Sequence, residues 1–178
     1  MGRFSDPEPL GKLHILKEFD SGESSLDIWL EKHARSAAGV GSARTFVVSD
    51  GEQERRVVGY HALTVATVGH LDAVGDATER MPRHPIPAVL IARLAVDRSV
   101  QARGIGAHLL GDAFVRAISV SETAGIRLVL VHALNDKASG FYKRFGFKES
   151  PTDPMNLQLL IKDARKSLNE SAEERKGR

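Results

Sequence analysis

The sequence predicts a mixed α/β domain, and three observations predict it. The stretch 88–116, AVLIARLAVDRSVQARGIGAHLLGDAFVR, opens as a short run rich in Val, Leu and Ile that stops at Asp97. After a polar turn, Ile105, Leu109, Leu110, Ala113, Phe114, Ala117 and Ile118 repeat at helical spacing, so a strand passes through a turn into a helix. A second apolar run, IRLVLVHA at 126–133, has the pattern of a buried strand, and Ala138, Phe141, Tyr142 and Phe145 follow it on one side of a further helix. The order of elements along the whole chain, β-α-β-β-(α)-β-α-β-α-β, lacks the regular βαβ alternation of a doubly wound nucleotide fold.

Taken from the N-terminus, residues 1–11 hold two prolines and two glycines and are expected to be poorly ordered. Lys12 to Leu16 suits a first strand. In FDSGESSLDIWLEKHARSAAG, Ser24 and Asp27 have the spacing of a capping box, Leu26, Leu30, His33, Ala34 and Ala37 follow at helical spacing, and Gly39 is a stop. Trp29 on this helix is a residue of the core or a lid over a site. Thr45 to Ser49 and Val57 to Val68 flank an Asp50-Gly51 turn and a charged loop, which reads as an antiparallel hairpin. Residues 70–87 form a polar connection with a short helix over Leu71 to Arg80, after which prolines prevent regular structure. Asn135 or Asp136 caps the helix after the second buried strand, Gly146 ends it, and Met155 to Ile161 alternates as a last strand. The expected organisation is one domain over 12–162 followed by a charged helix or tail over 163–178.

Composition narrows the function classes. At 178 residues and 42% hydrophobic, the chain buries one good core. It has no cysteine, which removes disulfides, thiolate metal sites and a cysteine nucleophile, and no metal site is expected. The opening MGRFSDPEPLGKLH lacks a signal-peptide pattern and no apolar run reaches membrane-spanning length, so a cytoplasmic protein is expected. Net charge is +2 and the isoelectric point about 9.0. Between Glu79 and Arg116, however, six arginines face three acidic residues, with His84 and His108 in addition. That concentration tilts the region toward an anionic ligand.

The strand–helix junction is where such a ligand would sit, because glycines expose backbone N–H groups at the positive end of a helix. A nucleotide P-loop needs Gly-Lys-Ser/Thr, which is absent, and Leu109 breaks the dinucleotide pattern G-x-G-x-x-G. The stretch does carry Gln101-x-x-Gly104-x-Gly106. On these six residues alone an ordinary strand–helix turn is an equal account. The pattern resembles the pyrophosphate loop of the GNAT superfamily of acyl-CoA-dependent N-acyltransferases. Further along, Phe141-Tyr142-Lys143-Arg144-Phe145-Gly146-Phe147 resembles the FY-x-x-x-GF signature near the C-terminal end of GNAT domains.

The resemblance implies a GNAT fold, with a mixed, mostly antiparallel sheet splayed open at the cofactor site. It implies acetyl-CoA as cofactor, held by Leu94, Ala95 and Val96 of the central strand, by Gln101, Ala102, Arg103, Gly104, Ile105, Gly106 and Ala107 of the loop, and by Asn135 and Phe141. A helix cap is an equally good account of Asn135. Tyr142 matches the tyrosine that protonates the departing thiolate, a role open to a phenol.

The central strand offers no carboxylate before Asp97, and its most polar interior residue is Arg93. An α-amino group, with a pKa of about 7.7–8.0, needs less help to lose its proton than a lysine at about 10.4. FDSGESSLDIWL, ARTFVV, PIPAVLIARLAVD and HALNDKASGFYKRFGF together are similar to acetyltransferase toxins of bacterial toxin–antitoxin pairs, over about Leu13 to Lys162. That resemblance implies acetylation of aminoacyl-tRNA, a ribbon-helix-helix antitoxin as partner, frequent dimerisation, and tRNA contacts at Arg93, Arg83 and His84. A GNAT acting on a small amine, one acting on a protein N-terminus, and a non-catalytic CoA-binding module are the competing readings.

Overall fold

The computed structural model describes residues 3–53 and 55–176. In chain order its elements are β1 (Glu8–Pro9), α1 (Ser24–Lys32), α2 (Ala34–Val40), β2 (Arg44–Asp50), β3 (Arg56–Val68), α3 (Gly75–Thr78) and β4 (Ile86–Val96). They continue with α4 (Ile105–Thr123), β5 (Leu128–His132), α5 (Asp136–Lys143), β6 (Lys148–Glu149), β7 (Asn156–Leu160) and α6 (Ile161–Lys176). The strands make a seven-stranded sheet in the order β1-β2-β3-β4-β5-β7-β6. The β1–β2, β2–β3, β5–β7 and β6–β7 pairs are antiparallel and β4–β5 is parallel. This is the expected mixed, mostly antiparallel sheet with helices. The β4–β5 ladder registers Ala88 with Leu128 through Ile91 with Val131, whereas β4 itself runs on to Val96. The chain divides into two compact units, Met1–Thr64 with Ala92–Ala113 and Val65–Ile91 with Phe114–Arg178.

In the first unit, the alternation of a strand sends neighbouring residues of β2 and β3 to opposite faces, and the register irregularity at Val48/Ser49, where the pairing passes from Gly59 to Val57, lets Val57 and Tyr60 share one. Val47, Val57 and Tyr60 join Leu16, Phe19, Leu30, Ala34 and Ala95, the cluster covered by α1 and α2. Val48 and Val58 join Val100, Ile105 and Leu109, where the start of α4 packs. Close approach requires Gly59 on β3, since a Cβ there would lie 2.9 Å from Ile105 Cγ2.

Several local expectations give way here. Residues 3–10 are not a loose leader: Phe4 bridges Asp50, Ser5 N–H donates to Ser49 O at 3.0 Å, and β1 pairs with β2. Arg3 donates to both carboxylate oxygens of Asp50, at 2.6–3.2 Å. Lys12 to Leu16 is no strand and contributes a single bridge, Ile15 to Arg56. The N-cap of α1 is Glu23, not Ser24; the Asp27 carboxylate instead accepts from the N–H and hydroxyl of Ser21. The helix breaks at His33 and resumes as α2, which stops at Gly41 and not at Gly39.

In the second unit, Val68, Ala73, Val74, Ala77, Ile86, Ala88, Leu128, Leu130 and Leu160 form a buried cluster. The helix expected over Leu71 to Arg80 shrinks to the four residues of α3. Its approach is held by Gln158, 1% exposed, whose Oε1 accepts from Val74 N–H at 3.0 Å and whose Nε2 donates to Asp72 O at 2.8 Å. A buried amide satisfied on both sides fixes the segment it binds. The C-terminal segment expected as helix or tail continues straight from β7 as α6. No helix among the described residues is long and apolar enough to cross a membrane.

Candidate active site

The loop after β4 is built around a buried carboxylate. Asp97, 2% exposed, accepts from Ser99 N–H and hydroxyl through Oδ1, and from Asp20 N–H and the Arg56 guanidinium through Oδ2. Burial pushes this carboxyl up, but the bonds from Ser99 and Asp20 and the charge of Arg56 outweigh it and hold the group below the usual carboxylate range. A 3-10 turn, Arg98–Val100, follows. The Gln101 amide then donates to Val96 O at 2.9 Å and Ser21 O at 3.0 Å, tying the loop to the turn that precedes α1.

Past Gln101 the backbone enters the left-handed region at Ala102 (φ 61°) and Gly104 (φ 82°). The first bond of the α4 ladder runs from His108 N–H to Gly104 O at 3.0 Å. The N–H groups of Ile105, Gly106 and Ala107 therefore precede the ladder and point from the positive end of a 19-residue helix. Ile105 is buried and anchors the turn, while residues 101–104 are exposed, Arg103 among them. A Cβ built on Gly104 would meet no atom within 4 Å. An exposed, amide-lined and positively polarised helix start fits a pyrophosphate.

Upstream on β4, Leu94 and Val96 pack against the α4-side cluster and Ala95 belongs to the opposite one. Any use of these three residues toward a ligand thus falls to their backbone. Arg93 differs. Its guanidinium carbon lies 4.8 Å over the ring of Trp29, its Nη1 donates to Ala92 O, and its buried Nε has no partner. No carboxylate among the described residues forms an ion pair with it. Trp29 is packed on the core cluster of this unit and stacks on Tyr60, with centroids 6.0 Å apart. The pairing of Trp29 with Arg93, 64 residues apart, has no local signal in the sequence.

The remaining expected residues belong to the second unit. Asn135 is the N-cap of α5, its Oδ1 accepting from Ala138 N–H at 2.9 Å. Tyr142 is 5% exposed, edge-on to Phe141 and Phe147 at 5.2 and 5.5 Å. Burial pushes its phenol well above the ordinary tyrosine value, and its hydroxyl has no hydrogen-bond partner among the described residues. Phe141 is half-buried against Phe145. Arg83 and His84 are exposed in the irregular segment between α3 and β4. That segment is pinned by His70 Nε2, which donates to Pro82 O at 2.7 Å, and by Arg127, which donates to Asp76 O and Glu79 O. A depression in this unit, lined by Val74, Asp76, Gly146, Lys148, Gln158 and Asp163 among others, contains none of the expected site residues.

Residues 41–149 match the family described as acetyltransferase (GNAT) domain. The chain belongs to the GNAT acetyltransferase family. This GNAT chain is 45% identical over 165 residues to a tRNA-acetylating toxin of Mycobacterium tuberculosis (strain ATCC 25618 / H37Rv), covering 93% of this chain and 97% of the relative. Among solved structures it resembles a Tyr-to-Phe mutant of KacT with a TM-score of 0.87 at 25% identity, covering 92% of this chain and 98% of the other. It also resembles AtaT complexed with acetyl-methionyl-tRNAfMet (TM-score 0.83, 30% identity, 91% and 97% covered). A Tyr-to-Phe mutant of AtaT, bound to the C-terminus of the antitoxin AtaR and acetyl-CoA, matches with a TM-score of 0.76 at 29% identity, covering 91% and 96%.

Proposed function

We propose that this enzyme transfers an acetyl group from acetyl-CoA to the α-amine of aminoacyl-tRNA and so blocks translation. The observation that carries the reading is the near full-length likeness to a tRNA-acetylating toxin. The site supports it independently: its central strand presents Arg93, a cation with no carboxylate partner among the described residues, as an anionic acceptor requires.

The N–H groups of Ile105, Gly106 and Ala107, with the open face of Gly104, hold the cofactor's pyrophosphate, and Leu94 to Val96 offer backbone groups to its acyl end. Bound acetyl-CoA supplies an activated thioester. Arg93 and the Arg83–His84 segment hold acceptor-end phosphates and so orient the amine. With a pKa of about 7.7–8.0, an α-amine is partly neutral near pH 7.5 without a dedicated base. As the N–C bond forms and the C–S bond breaks, the amine proton leaves to water. Tyr142 gives its phenolic proton to the departing sulfur and recovers one from solvent. The same desolvation that keeps the phenol protonated also penalises a thiolate, which narrows the gap between donor and acceptor.

The partners proposed with this activity are a cognate antitoxin of ribbon-helix-helix type and a second copy of the chain, and the compartment is the cytoplasm, where charged tRNA is found. The AtaT–AtaR complex supports the antitoxin part. The test offers charged tRNA, uncharged tRNA, a polyamine and a peptide with a free N-terminus, each with labelled acetyl-CoA. Label is expected on charged tRNA only, and is released when the aminoacyl ester is hydrolysed. Label on the polyamine or the peptide alone would overturn the acceptor.

A further inference from the structure

We infer that Trp29 is a positioning residue for Arg93, holding its guanidinium so that the N–H edge stays open to a phosphate of the tRNA acceptor end. The inference rests on the acceptor proposed above.

An arginine on a central strand is usually fixed by a carboxylate, which occupies the donor fork that an incoming phosphate would need. Arg93 is fixed otherwise. Its guanidinium carbon lies over the Trp29 ring, 4.8 Å from the centroid. Its one hydrogen bond among the described residues goes from Nη1 to Ala92 O at 3.2 Å, and the buried Nε is left without a partner. The indole thus holds the cation without occupying any of its hydrogen-bond donors.

The platform is itself anchored. Trp29 stacks nearly parallel on Tyr60, at 12° between planes, and Phe19 packs edge-on against the same tyrosine at 5.6 Å. The Tyr60 hydroxyl donates to Leu26 O at 2.8 Å, on the same helix as Trp29. The turn that leads into that helix is tied to the cofactor loop through Gln101 and Ser21 O. One continuous set of contacts therefore relates the Arg93 cation to the amides after Gly104.

The test uses the full chain with charged tRNA and the variants Trp29→Leu, Trp29→Phe, Arg93→Ala and the double variant Trp29→Leu/Arg93→Ala. Trp29→Leu is expected to raise the KM for charged tRNA about fivefold, the scale of a partly desolvated cation–π contact. The KM for acetyl-CoA should stay the same. Trp29→Phe, which keeps an aromatic face, should recover most of the loss. In the Arg93→Ala background, Trp29→Leu should add nothing. Trp29 is the chain's single tryptophan, so its emission reports on the pair directly: Arg93→Ala should shift it, and should abolish the change seen when charged tRNA is titrated in.

Equal rises in both KM values, or independent effects that multiply in the double variant, would make Trp29 a packing residue only. Should Trp29→Leu fail to fold, emission identical in wild type and Arg93→Ala would overturn the pairing by itself. Wild-type protein that leaves charged tRNA unlabelled would instead overturn the acceptor, and is told apart because it needs no variant.

Discussion

Replacing Gly104 with valine separates what the loop does for folding from what it does for the cofactor. The position sits at φ 82°, in a region that L-residues enter at a penalty of roughly 1–2 kcal/mol. No atom lies within 4 Å of the Cβ position, so packing adds little to that penalty. In a chain of this size the result is a fall in Tm of roughly 2–4 °C per kcal/mol. The effect on acetyl-CoA should be larger, because the new side chain fills the space assigned to the pyrophosphate. A rise in Kd of at least about tenfold, or ~1.4 kcal/mol, is expected. Gly59→Ala is the counterpart. Its Cβ would lie 2.9 Å from Ile105 Cγ2 and 3.0 Å from Leu109 Cδ1, an overpacking that typically costs about 1–3 kcal/mol; it presses on the side chain that anchors the loop without entering the space before the amides, so its loss of affinity should be the smaller of the two. Scanning calorimetry and acetyl-CoA titration on both variants should give opposite profiles, affinity lost at 104 and stability lost at 59. Native affinity in Gly104→Val, or the same affinity loss in both, would refute the cradle.

Tyr142→Phe should lower turnover roughly a hundredfold or more with acetyl-CoA affinity nearly unchanged, since the role proposed for the phenol is at the departing sulfur; near-normal turnover would make Tyr142 a packing residue. Stability should be level above pH 5 and fall as the pH drops below about 4. The hydrogen bonds of Arg3 hold the Asp50 carboxyl, and those of Ser99 and Asp20 hold Asp97, below the ordinary value, so both stay ionised in the fold at a pH where the unfolded chain takes up protons. Asp97→Asn should flatten that acid limb in urea melts run between pH 2.5 and 7, and an unchanged slope would show that the buried carboxylate is not what acid titrates.

The sequence by itself determined the elements whose signal is local. The alternation of β2 and β3, the helical repeat from Ile105, the buried run of β5 and the Asn135 cap all lie within a few residues of what they specify. The turn of the loop after β4 is local too, in the glycines at 104 and 106, but its anchoring is not: Gln101 donates to Ser21 O, 80 residues away, and Asp97 is held by Asp20 and Arg56. The tertiary structure alone decided the features whose partners are far apart in the chain. Glu8–Pro9 becomes a strand because β2 offers an unpaired edge, and residues 3–10 are ordered because buried Asp50 requires Arg3. The helix over Leu71 to Arg80 shortens because its approach is claimed by Gln158, 84 residues away. Side-chain periodicity tells which face of α1 carries Trp29; it does not tell that Arg93 of β4 comes to rest upon it. A repeat of 2 or 3.6 residues encodes direction from the local backbone, whereas a partner across the fold is chosen by how the finished elements pack.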